Sequence, residues 1–70
     1  MMYRCVWYWL DGTVEDGDKF SVLAEQMVAV TQNWSRFVHE FPTLLGVTIV
    51  DDEGTNWLMM RVNRGEHREL

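Results

Sequence analysis

Cys5 is the only cysteine among the 70 residues, so no disulfide can form within the chain. A reducing, cytoplasmic setting is the expectation that follows. Pro42 is the only proline, so a single abrupt break in periodic structure is expected there. No stretch approaches the roughly 18 apolar residues of a membrane span. The run CVWYWL is followed at once by acids, and it is read neither as a span nor as a secretory leader. Basic residues are scarce, with six Lys and Arg against eleven Asp and Glu and a net charge of −5. That balance argues against a nucleic-acid phosphate surface as the main partner and favours basic surfaces on other proteins.

The catalytic vocabulary is equally thin. Cys5, His39 and His67 are the only soft metal ligands and have no paired spacing, so no structural zinc site is read. A calcium loop also fails. With Gly17 at the glycine position the preceding ligand positions are Gly12, Val14 and Asp16, and with Gly54 there they are Ile49, Asp51 and Glu53, with Met60 closing. There is no Gly-rich phosphate loop and no G-x-S-x-G. A cysteine beside Val6 and Trp7 in a strand reads as a small buried hydrophobe. We expect no enzyme, no metal and no cofactor.

What the chain does contain is four tryptophans and a hydrophobic share of 47%, enough for one small folded domain spanning 1–70, with 63–70 a polar tail. Tyr3 to Leu10 reads as a strand rich in Val, Tyr and Trp. The segment DGTVEDGD, 11–18, reads as a polar loop. Phe20, Leu23, Met27, Val30, Trp34, Phe37 and Phe41 recur at spacings of three and four, the mark of one helical face, with Asp18 or Ser21 as the N-cap. LLGVTIV and NWLMMRVN follow as strands around the turn DDEGT. The expected fold class is α+β: a two-layer β-α-β-β unit with one long helix on a small antiparallel three-stranded sheet, the last strand central.

In the first strand Tyr3, Cys5, Trp7 and Trp9 share an uncharged face, which we assign to the helix side. Leu45, Val47, Ile49, Leu58, Met60 and Val62 join them as core. One helix cannot cover both sides of a sheet, so Arg4, Val6, Tyr8, Trp57, Met59 and Arg61 are left on an open face. Its Trp, Tyr, Met and Arg content is that of a contact surface, although a half-exposed sheet with Trp57 stacked on Tyr8 has the same composition. With three strands, both acidic loops fall at one end. Asp11, Glu15, Asp16, Asp18, Asp51, Asp52 and Glu53 then form an acidic pole, with Arg4, Arg36, Arg61, Arg64 and Arg68 towards the other.

Two functional readings follow. The first is a non-enzymatic binding module, of the kind phages and mobile elements use as anti-CRISPR-like or anti-restriction-like inhibitors. It docks on a host protein through the acidic pole and the aromatic sheet face, including a protein whose basic surface otherwise holds nucleic acid. The second is a homodimer or larger assembly that buries the same face between subunits, with or without a small planar ligand. In length and element order alone, β-α-β-β resembles the dodecins. That resemblance implies only that Trp57 and Tyr8 line a ligand site between subunits.

Overall fold

β-branched and aromatic side chains from Tyr3 to Trp9 suit a pleated strand, and this segment forms β1. The structure is a computed structural model in which residues 1–62 are described. It continues with β2 (Val14–Phe20), α1 (Leu23–Glu40), β3 (Leu44–Asp51) and β4 (Asn56–Arg61). The four strands form one sheet in the order β2-β1-β3-β4, and each neighbouring pair is antiparallel. The α+β class holds, as β-β-α-β-β rather than β-α-β-β.

The additional strand is VEDGDKF, which the sequence presents as part of a loop. It carries three acids, one lysine and a glycine, and therefore no apolar alternation. It can still be a strand because it pairs on one side only, with β1, and needs no two-sided core. Backbone pairing is reinforced by Arg4–Asp16 at 3.3 Å and by the stacked rings of Tyr3 and Phe20 at 5.9 Å. Its turn is built by Asp11, whose Oδ1 accepts from the Thr13 backbone N–H at 2.9 Å and the Thr13 hydroxyl at 2.7 Å, while Gly12 takes φ +90°. The layout on which the likeness to dodecins rests is therefore not the layout of this chain.

Strand order differs as well. The last strand lies at an edge, and β1 and β3 are central. β3 suits the centre because Val47 and Ile49 are fully buried on one face and Thr48 is 5% exposed on the other. In β4, by contrast, Trp57, Met59 and Arg61 are exposed. Close approach also matters here. A Cβ on Gly46 would lie 2.7 Å from the Met60 carbonyl oxygen, so β4 could not pair as it does against a larger residue.

α1 lays Leu23, Met27, Val30 and Trp34 against Tyr3, Cys5, Trp7, Val47, Ile49, Leu58 and Met60. That is the stripe its periodicity announces from Leu23 onward, whereas Phe20, read as its first member, ends β2 and stacks on Tyr3, and Phe41 is the C-cap. Val22, rather than Asp18 or Ser21, is the N-cap and makes no side-chain capping bond, because Asp18 belongs to β2. At the other end the Phe41 N–H donates to the Phe37 carbonyl at 2.9 Å, just before Pro42. A register shift between Tyr8 and Trp9 leaves Leu45 as an extra residue in β3. Leu44, fully buried, thus takes the core position expected for Leu45, which is 37% exposed. Val62 is half-buried and lies just beyond β4.

The core is small, so one cavity should be decisive. Ile49→Ala is expected to cost about 2–5 kcal/mol, as much as a domain of this size holds, about 3–5 kcal/mol. Ile49→Val should cost only about 0.5–1.5 kcal/mol. Urea unfolding followed by Trp fluorescence should show a cooperative transition for Ile49→Val and little or none for Ile49→Ala.

Candidate functional site

α1 covers one face of the sheet, and among the described residues no element lies over the other. Cross-strand register identifies that open face. Val14 lies opposite Tyr8, Asp16 opposite Val6 and Lys19 opposite Arg4, while Thr48 pairs with Val6 and with Met59. Arg61 lies opposite Gly46, with its Cγ on the side where a Gly46 Cβ would point. At the centre Val6 and Thr48 are buried, and the Tyr8 hydroxyl sits 3.4 Å from Thr48 Oγ1. Around them Tyr8 and Leu45 are 37% exposed, Met59 57% and Val14 59%. A groove of about 370 Å³ runs between Tyr8, Leu45, Thr48, Asn56, Met59 and Arg61.

The structure thus brings together Arg4, Val6, Tyr8, Met59 and Arg61, as the alternation in the sequence implies. Trp57 does not join them. A register shift between Ile49 and Val50 makes it the extra residue in β4. Its indole N–H donates to Asp51 Oδ2 at 3.0 Å, and its ring meets Tyr3 edge-on at 6.4 Å. Tyr3 packs on the core and lies opposite Asp51 in the register, so both belong to the helix side. Tyr8 pairs near the far end of β4, so Trp57 and Tyr8 cannot form a cross-strand stack. Leu45 and Val14 enter the face instead. Only a bulge and an unrecognised strand place them there, and neither is visible as a residue pattern.

The seven acids do not converge into a pole. With β2 present, the chain reverses once more before α1, so Asp51, Asp52 and Glu53 lie at the start of β1 while Asp11 lies beyond its end. The Met2 N–H donates to Asp52 at 3.3 Å, which fixes that geometry. Glu15, Asp16 and Asp18 are strung along the edge strand between the two ends. Cations are interspersed: Arg4 pairs with Asp16, Lys19 with Asp52 at 3.8 Å and Arg36 with Glu40 at 3.9 Å. Arg64 and Arg68 lie outside the described residues. Asp16 and Lys19 also give the open face a charged rim.

Asp51 organises its own hairpin. It is 3% exposed, and its Oδ1 accepts from the backbone N–H groups of Glu53 at 2.8 Å and Thr55 at 3.0 Å. Its backbone carbonyl accepts from Gly54, which takes φ +85°. The Trp57 bond, followed by the backbone donors, lowers the Asp51 pKa against the opposing effect of burial. Cys5 is 5% exposed, with the Gln26 amide 3.6 Å from its sulfur, and burial raises its thiol pKa. Such a thiol is a poor nucleophile at neutral pH. Among the described residues no group of three or more His, Cys, Asp or Glu is placed to hold a metal ion. No helix there is long and apolar enough to cross a membrane.

Because the folded pKa of Asp51 is depressed, its contribution to stability is present above the unfolded carboxylate pKa, about 3.9, and is lost as pH falls through the folded value. Asp51→Asn offers one acceptor oxygen to three donors and should lower the thermal midpoint at pH 7. The gap from the wild-type chain should narrow as pH drops below about 4, and a gap independent of pH would contradict this role for the carboxylate. Comparison of the chain with protein-family models, with curated proteins and with solved structures finds no match.

Proposed function

We propose that this chain is a non-enzymatic protein-binding module whose contact surface is the open sheet face around Tyr8, Leu45, Met59 and Arg61. One observation carries the reading: a four-stranded sheet with a helix on one side presents a second face of exposed apolar and aromatic residues around a buried centre. Contiguous patches of that kind are uncommon on chains that work alone. Met, Tyr and Arg are among the residues enriched where proteins meet. The buried, hydrogen-bonded Cys5 supports a non-catalytic reading. An inhibitor that occupies the basic surface of a host protein is the form that the net charge of −5 favours. In that form the acids that meet the partner are Glu15, Asp16 and Asp18 along the β2 edge, with Asp11 beside them. Asp51 is spent on its own hairpin.

A specific feature favours self-association as the second reading. β2 is an edge guarded by charge, whereas β4 (Asn56–Arg61) carries a single charge, Arg61 at its end, and no proline. Among the described residues nothing covers this edge, and a lightly charged edge can pair with a second copy and extend the sheet. The two readings differ in mass. Light scattering after size exclusion should give a concentration-dependent oligomer under the second and a monomer under the first.

Met59→Glu places a charge on the exposed face, in edge strand β4, without touching the core, and Val28→Glu places one on the exposed side of α1. Partner capture, or self-association in the second reading, should fall about tenfold or more with Met59→Glu, the scale of a contact hot spot. Val28→Glu should leave it unchanged. Equal binding by both variants and the wild-type chain would remove the open face from consideration.

A further inference from the structure

Away from the open face, β1, β2 and the end of α1 form a second, open concavity, of about 380 Å³, on the helix side of the sheet. Its walls are aromatic and come from separate elements. Trp7 and Trp9 stand two residues apart on one face of β1, and Phe37 and Phe41 stand one helical turn apart, so the two spacings nearly match. Each tryptophan meets a phenylalanine edge-to-face: Trp7 with Phe37 at 5.7 Å and 85°, Trp9 with Phe41 at 6.0 Å and 83°. In an edge-to-face pair, the ring that offers its edge does not use its own faces in that contact. Leu44 also lines the pocket, fully buried, and Gly17 lines it without a side chain to fill it.

A carboxylate stands at this aromatic wall. Glu15 lines the pocket, and its Oε1 accepts the Trp9 indole N–H at 3.1 Å. That bond ties the acid to the ring beside it. Among the described residues Glu15 has no cationic partner, whereas Asp16, which also lines the pocket, pairs with Arg4. Arg36 lies over the Phe37 ring, 5.7 Å from its centroid, and is paired with Glu40. Aromatic faces attract cations through the ring quadrupole, and an uncompensated carboxylate adds a full opposite charge. Apolar walls meanwhile disfavour a small, strongly hydrated ion and favour one that carries its charge on methyl groups.

We propose that Trp7, Trp9, Phe37, Phe41 and Glu15 form a binding site for a small quaternary ammonium compound, choline in size and charge. The rings surround the methylated head, and Glu15 supplies the counter-charge. This site lies on the helix side of the sheet, opposite the open face, and shares Glu15 with the acidic β2 edge, so the choline titration is made on the chain without any partner.

The test is a titration of the intact chain with choline chloride at constant ionic strength, followed by the indole N–H resonances of the four tryptophans. The neutral isostere 3,3-dimethylbutan-1-ol is the control. Choline should shift the Trp7 and Trp9 signals saturably, leave Trp34 and Trp57 in place, and bind at least about threefold more tightly than the alcohol. Glu15→Gln alters an exposed edge residue and should abolish that preference while leaving the circular dichroism spectrum unchanged. Trp9→Ala should weaken choline binding about three- to thirtyfold. Absence of saturable shifts at Trp7 and Trp9, equal affinity for choline and its isostere, or an undiminished preference in Glu15→Gln would each overturn the proposal.

Discussion

One helix of 18 residues lies on a sheet of four strands, and that inequality organises the molecule. A helix with its side chains is about 10–12 Å across, while strands stand about 4.8 Å apart, so a single helix spans little more than two or three of them. α1 gathers the central residues Cys5, Val47 and Ile49 beneath Val30 into the core. The edge strands are only partly roofed. β2 answers with charge and a glycine on the helix side, and β4 answers by turning Trp57 onto Tyr3 and Asp51. The face away from the helix has nothing to roof it among the described residues.

Irregularities in pairing then decide which side chains go where. Each of the three strand pairs contains a register shift. One exchanges Leu44 for Leu45 in the core, and another takes Trp57 off the face that its position in an alternating strand would assign. The third sets Gly17 and Asp18 against Cys5, where Gly17 lies 3.3 Å from the Cys5 carbonyl oxygen, measured from an ideal Cβ. Bulges of this kind strengthen local twist and re-aim side chains at sheet margins. Here they leave polar and aromatic residues side by side: Asp51 with Trp57, and Glu15 with Trp9.

Charge is used locally rather than globally. The acids that would have made a pole are distributed between a hairpin hub, an edge strand and a turn, and several already serve hydrogen bonds or ion pairs within the fold. Asp11 shapes the β1–β2 turn through Thr13, and Asp51 shapes the β3–β4 turn through Glu53, Thr55 and Trp57. Those two carboxylates are lowered in pKa by the hydrogen bonds they accept, chiefly from Thr13 and from Trp57 respectively.

Sequence alone determined the helix, its apolar stripe, the break at Pro42, three of the strands, the helix-side face of β1 and the existence of an uncovered sheet face. These follow from periods of 3.6 and 2 and from the width of one helix, which are local or nearly local properties. Tertiary structure decided the rest. VEDGDKF has no amphipathic period to announce it, because an edge strand only partly covered by the helix needs little of one, and it is held by backbone bonds to β1 with Phe20 alone packed on the core. That one strand reversed the chain's direction before α1 and so separated Asp11 from Asp51, Asp52 and Glu53. The positions of Leu45 and Trp57 and the meeting of Trp9 with Phe41 depend on how strands and helix align in space, where a shift of one residue changes the face a side chain occupies.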